Sequence, residues 1–143
     1  MNVTSLLGAK GSDVATVSAE RSVGDAVHLL RERRIGALVV VDGQGPLAGI
    51  LSERDVVRAL AEDGPDVTAR RVRDLMTADV VTCEPATTVT TLMTIMTERR
   101  IRHVPVVEDG HLVGLVSIGD VVKARVDELE RERRELLDYV SGR

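Results

Sequence analysis

Gly114-Leu115-Val116-Ser117-Ile118-Gly119-Asp120-Val121-Val122 is the second statement of a phrase the chain makes first as Gly49-Ile50-Leu51-Ser52-Glu53-Arg54-Asp55-Val56-Val57. Serine matches serine and aspartate matches aspartate at a single offset of 65 residues (117−52 and 120−55). Each copy predicts a short apolar strand that runs into a helix. The glycine is expected to end a turn, the aliphatic pair to form the strand, and Ser-x-x-Asp to open the helix. A strand feeding a helix N-terminus directs backbone N–H groups and the positive end of the dipole at one spot, which suits a phosphate. The serine hydroxyl can bond that phosphate, and a carboxylate one turn on can accept both hydroxyls of a ribose.

Ser-x-x-Asp also describes a capping box, in which the two side chains satisfy backbone donors at the helix start. Two features favour a ligand. Gly119 sits in the first helical turn, where it weakens the helix by about 1 kcal/mol relative to alanine and a cap gains nothing from it. It makes sense if something approaches the backbone closely. The second feature is that the repeat extends well beyond the phrase.

Working outward, Val14 to Val17 recurs as Val80 to Cys83 at an offset of 66. The helix face Val23, Ala26, Val27, Leu30 recurs as Val89, Leu92, Met93, Met96, and Arg33-Arg34-Ile35 as Arg99-Arg100-Ile101. One residue is then lost in the turn Glu108-Asp109-Gly110 relative to 42–46, which changes the offset to 65. Strands are expected at 13–18, 37–41 and 47–51, then at 80–83, 104–107 and 112–116. Helices are expected from Val23, Glu53, Val89 and Ile118, with short ones near Leu6 and over 71–76. Gly64-Pro65-Asp66 starts a connector. The organisation is an N-terminal segment with repeat 1 (1–63), a connector (64–78), repeat 2 (79–126) and a C-terminal helical extension (127–143). The fold class is α/β: two β-α-β-β-α repeats about a pseudo-twofold, packed sheet to sheet around one shared core, with clefts between the copies. Such clefts are where small ligands lodge.

Composition narrows the functions. A formal net charge of −4 argues against a nucleic-acid surface. With one Tyr and neither Phe nor Trp, no base-stacking platform exists, so a bound base must lie between aliphatic side chains. No apolar run approaches membrane-spanning length and no signal-like segment opens the chain, so a cytoplasmic protein is expected. Cys83 alone makes no internal disulfide and fits a reducing compartment. His28, His103 and His111 have no metal-ligand spacing, and no Walker or dinucleotide loop is present. No catalytic set is visible.

The twice-stated Gly-aliphatic-aliphatic-Ser-x-x-Asp-Val phrase, with Lys10-Gly11 and Arg102-His103-Val104-Pro105-Val106, resembles cystathionine β-synthase (CBS) domains. The chain from about Val14 to Val126 looks like a CBS pair, or Bateman module, most similar to small bacterial stand-alone pairs thought to bind AMP or NAD. The resemblance implies adenine nucleotides between the repeats. It maps ribose binding onto Asp55 and Asp120, and phosphate-binding hydroxyls onto Ser52 and Ser117. It maps the base-flanking segment onto Thr16-Val17-Ser18 and Thr82-Cys83-Glu84. A basic phosphate contact falls on Arg102 and His103, where the first copy has Gly36-Ala37, so the two sites should differ. Arg54 can supply charge at the first helix start, and Lys10 is a further phosphate contact by the same match.

The function expected is a non-catalytic, energy-sensing regulatory module that binds AMP, ATP or NAD(H), with no catalytic cofactor and no metal. It would act on a regulated protein partner. The alternative is an interaction or scaffold dimer with empty or vestigial ligand sites; a small adenylate-hydrolysing or phosphate-transferring enzyme is more remote. Along the last helix Val122, Val126, Leu129, Leu136 and Val140, with Arg133 filling the gap, step by 4, 3, 4, 3 and 4. That is coiled-coil-like spacing and predicts a homodimer with this helix as clasp, as the resemblance also implies.

Overall fold

The computed structural model describes residues 1–143 except Ser12, Gln44 and Arg143 and the side chains of Ala9 and Lys10. Repeat 1 runs β1 (Thr16–Ser18), α2 (Val23–Arg33), β2 (Ala37–Val41), β3 (Leu47–Ser52) and α3 (Glu53–Asp63), after a helix α1 (Val3–Lys10). A 3-10 turn (Gly64–Ala69) and a short helix α4 (Val72–Leu75) form the connector. Repeat 2 follows as α5 (Val89–Arg99), β4 (His103–Glu108), β5 (His111–Ser117) and α6 (Ile118–Val140). Ser22 and Thr88 cap α2 and α5 with their hydroxyls. Both helices end on an arginine in the left-handed region, Arg34 at φ 53° and Arg100 at φ 54°.

Sheet 1 has the order β1-β2-β3, with β1 parallel and β3 antiparallel to β2. Sheet 2 holds only the antiparallel pair β4-β5. The strand expected over 80–83 shrinks to a single bridge between Cys83 and Val106, the counterpart of the pairing of Val17 with Val40. Two prolines explain the loss. In repeat 1 Ala19 N–H donates to Val41 O and Val39 N–H donates to Ala15 O. Repeat 2 has Pro85 and Pro105 at those positions, which carry no N–H. Only Cys83 N–H to Pro105 O and Val107 N–H to Cys83 O survive.

The expected single core is in fact two, one per repeat. One cluster contains Leu30, Leu38, Val40, Leu51 and, from the connector, Val72. The other contains Leu92, Met96, Val104, Val106 and Val116 with Val3 and Leu6 of α1. Residues 1–10 thus precede repeat 1 in sequence but complete repeat 2 in space. The connector does the same for repeat 1, bond for bond. Val3 N–H donates to Thr87 O and Thr4 N–H to Pro85 O, as Val72 N–H does to Arg21 O and Arg73 N–H to Ala19 O. Arg71 and Arg73 both pair with Glu20, and Arg73 reaches Asp42 at 2.6 Å. Hydrogen bonds from Arg73, then Arg71, hold the Glu20 carboxyl below its ordinary pKa.

The glycines of the repeated phrase do not end turns; they lie inside β3 and β5. A methyl on Gly49 would stand 2.7 Å from Thr77 O, and one on Gly114 would stand 2.6 Å from Leu7 Cδ2. Each glycine lets the borrowed segment close onto the strand.

Each sheet has a second face. Register places Ala37, Val39, Ile50 and Ser52 on one side of sheet 1, and His103, Pro105, Leu115 and Ser117 on one side of sheet 2. Ala37 and Leu115 line one cleft together, and Ile50 and His103 line another. The sheets therefore face each other. Beyond Glu128, α6 leaves the body: 129–142 are all exposed, so its apolar stripe does not lie along its own domain.

Candidate functional site

Two clefts open between the facing sheets, and the repeat relates them. The smaller, of about 340 Å³, combines 13–15 and 33–37 of repeat 1 with Leu115 and Ser117 of repeat 2. The larger, of about 530 Å³, combines 79–81 and 100–103 of repeat 2 with Ile50, Ser52, Asp55 and their helix neighbours in repeat 1. The smaller cleft meets the α6 start only at Ser117, whereas the larger is lined by both helix starts, Ser52 to Asp55 and Ser117 to Gly119, over a floor from repeat 2. That explains why neither half could form a site alone.

Both helix starts are built alike. Ser52 Oγ accepts from Asp55 N–H at 3.3 Å, and Asp55 Oδ2 accepts from Ser52 N–H at 2.9 Å and from the Ser52 hydroxyl at 3.1 Å. Ser117 and Asp120 form the same box at 3.2 Å and 2.9 Å. The capping box is therefore real in both copies, and each aspartate is tied to its helix start. The first helical N–H is also taken, Glu53 N–H by Gly36 O at 3.0 Å and Ile118 N–H by Arg102 O at 2.8 Å. Between these engaged donors stand the N–H groups of Arg54 and Gly119, two residues that line the larger cleft. A methyl on Gly119 would meet only Ser117 Oγ, at 3.6 Å. No packing among the described residues demands glycine there.

Of the residues singled out from the sequence, Ser52, Arg54, Asp55, Arg102 and His103 come together in the larger cleft, and Ser117 borders both clefts. Asp120 holds the α6 cap but is not among the lining residues. Val17 and Cys83 point into the two cores, while Thr16 and Thr82 are exposed outside either lining. The Lys10 side chain lies outside the described residues. The segments that do form the cleft floors are Asp13-Val14-Ala15 and Asp79-Val80-Val81, just ahead of the expected positions. Arg34-Ile35 and Arg100-Ile101 join them. All of these were visible as repeats at an offset of 66. Arg58, one turn beyond Asp55, also lines the larger cleft.

The larger cleft is chemically mixed. Arg54, Arg58, Arg100 and Arg102 surround it, and among the described residues none of the four makes an ion pair within 4 Å. Ile50, Val80, Val81 and Ile101 supply apolar wall. The smaller cleft has Arg33 and Arg34 but has Gly36-Ala37 where its partner has Arg102-His103. No group of three or more potential metal ligands occurs among the described residues. No helix there is long and apolar enough to cross a membrane.

Comparison with known proteins agrees with this architecture. Residues 11–62 and 72–127 each match the family described as CBS domain. The chain is 41% identical over 129 residues to the CBS domain-containing protein CBSX3, mitochondrial, of Arabidopsis thaliana, a match spanning 87% of this chain and 63% of that protein. The crystal structure of the CBS-domain containing protein ATU1752 from Agrobacterium tumefaciens superposes with a TM-score of 0.85 at 48% identity, over 87% of this chain and 92% of that one. The CBS domain pair of protein MJ0100, solved in complex with 5′-methylthioadenosine and S-adenosyl-L-methionine, gives 0.77 at 27% identity, over 87% and 98% of the two chains.

Proposed function

The chain belongs to the CBS-domain family as a tandem pair, and from that premise we propose that this regulatory module is non-catalytic and binds an adenine nucleotide, AMP in the first instance, in the larger cleft. ATP and NAD(H) offer the same adenosine and phosphate chemistry. The observation that carries the reading is the meeting, in one cleft, of a Ser-x-x-Asp helix start, four arginines without ion-pair partners among the described residues and an aliphatic wall. Asp55 would accept the ribose hydroxyls. Ser52, Arg54 and Arg102 would hold phosphate, and the base would lie between Ile50, Val80, Val81 and Ile101. The related domain pair whose structure contains two adenosine-based ligands supports the adenosine part. The open space beside Gly119 supports close approach by a ligand.

Asp55→Ala should weaken AMP binding at least about tenfold, since a charge-assisted hydrogen bond is worth roughly 1.5–3 kcal/mol. Asp120→Ala, whose carboxylate is not among the lining residues, should weaken it less. Calorimetry on the folded variants reads both, and an Asp55→Ala chain with wild-type affinity would remove the ribose assignment.

We propose further that the molecule is a homodimer clasped by α6. Val126 and Leu129 are each 47% exposed and Leu136 is 65% exposed, an apolar stripe the monomer leaves in water. Light scattering should give a dimer for the full chain and a weaker or absent one for a chain ending at Lys123. A full-length monomer at micromolar concentration refutes dimerisation, and an unaltered dimer after truncation refutes the clasp. The proposed setting is the cytoplasm, to which a free buried thiol at Cys83 is suited; the Arabidopsis relative is named as mitochondrial.

A further inference from the structure

The two clefts are not separate rooms. Gly36, His103 and Ser117 line both of them. Gly36 is the repeat counterpart of Arg102, and Ala37 is the counterpart of His103, so the two copies differ at the shared wall. A molecule with two identical repeats would give each cleft its own imidazole. This one has a single imidazole for two clefts.

His103 is seated where the two repeats meet. It opens β4, pairs in register with Ser117 and is half-buried. A methyl on Gly36 would lie 3.4 Å from its Cε1 and 3.5 Å from its Nε2, so the ring rests against the bare backbone of repeat 1. An arginine at position 36, as the second copy has, would need the space the ring occupies. The missing side chain at Gly36 and the extra ring at His103 are thus two halves of one packing solution.

We infer that His103 couples the clefts, so that filling one with a nucleotide weakens the other. The inference rests on the nucleotide reading above. An imidazole N–H turned toward a phosphate in one cleft is turned from the other. By linkage the effect is reciprocal: each ligand lowers the affinity for the other by one factor.

The test is an AMP titration of the ¹⁵N-labelled full chain. The amides of Asp13 and Ala15 report the smaller cleft, and those of Asp79 and Val81 report the larger. Asp55→Ala combined with Arg58→Ala disables the larger cleft without touching the smaller one's lining. The smaller cleft should then bind AMP about tenfold more tightly than it does in the wild-type chain with the larger cleft full. With His103→Ala, or His103→Asn should the first fold poorly, that ratio should fall to about one. A ratio near one in the wild-type background overturns the coupling but leaves nucleotide binding standing. A ratio that persists without His103, or shifts confined to one cleft at saturating AMP in every variant, overturns it equally. Shifts in neither cleft overturn both the coupling and the nucleotide reading.

Discussion

Deleting residues 1–10 should dismantle repeat 2, although these residues are joined to repeat 1. Val3 is fully buried and Leu6 is 5% exposed in the repeat 2 core, beside Cys83, Leu92 and Val116. Burying each such side chain contributes about 1.5–3 kcal/mol, and the pair together approaches the net stability of a small domain, about 5–15 kcal/mol. The backbone loses Val3 N–H to Thr87 O at 2.9 Å, Thr4 N–H to Pro85 O at 3.0 Å and Val89 N–H to Met1 O at 3.1 Å. Cys83 supplies a local readout. Burial, aided by the neighbouring Glu84 charge, pushes its thiol pKa from 9.0 up to about 11. At pH 8 the folded thiol is almost wholly protonated and should alkylate slowly. Exposed, its thiolate fraction should rise roughly a hundredfold, two pKa units' worth. The same shift fixes a pH dependence. Native structure favours the protonated thiol, so this contribution is complete below pH 9 and is lost as pH rises from about 9 to 11. Unchanged melting and unchanged alkylation after the deletion would show that α1 merely decorates repeat 2.

That exchange of segments is written in the sequence, but at a different spacing from the rest of the repeat. Val3, Leu6 and Leu7 correspond to Val72, Leu75 and Met76 at an offset of 69, three more than the 66 that aligns the strands and helices after them. A search at one fixed offset passes over it. What was legible came from periodicity and repetition: the helix faces, the β2-β3 and β4-β5 pairs and the Ser-x-x-Asp boxes appear where the repeat put them. The one strand that failed did so because Pro85 and Pro105 remove donors in a ladder whose partners lie far off in sequence. The cleft floor was misplaced for a related reason. Alternation along β1 sends Val17 to the core, as its counterpart Cys83 is sent, and the residues that line the clefts are 13–15 and 79–81, just before those positions. Which repeat's serine faces which repeat's arginine is a matter of how the sheets are stacked, and no single-chain pattern encodes it.

The glycines of the repeated phrase provide the sharpest contrast between the copies, because their obstacles differ in kind. A methyl on Gly49 would meet Thr77 O at 2.7 Å and Met76 Sδ at 2.8 Å. Thr77 O is not a movable tip: it accepts from Ile50 N–H at 3.0 Å while Thr77 N–H donates to Ile50 O at 2.9 Å. Relieving the clash means parting the bridge that fastens the connector to β3. A methyl on Gly114 would meet Leu7 Cδ2 at 2.6 Å and Cδ1 at 3.0 Å, both at the end of a half-buried side chain that can change rotamer. Gly49→Ala should therefore lose about 3 kcal/mol and Gly114→Ala about 1 kcal/mol, the upper and lower ends of the usual overpacking range. Urea denaturation of the full chain measures both. Second-site changes separate the causes. Leu7→Ala clears the obstacle at Gly114, so the Gly114→Ala, Leu7→Ala chain should be no less stable than Leu7→Ala alone. Met76→Ala clears only the side-chain half at Gly49, so Gly49→Ala should remain destabilising in that background, because the Thr77 carbonyl is still there. Equal losses from the two glycine substitutions, or full rescue of Gly49→Ala by Met76→Ala, would mean that the connector yields as easily as a leucine side chain.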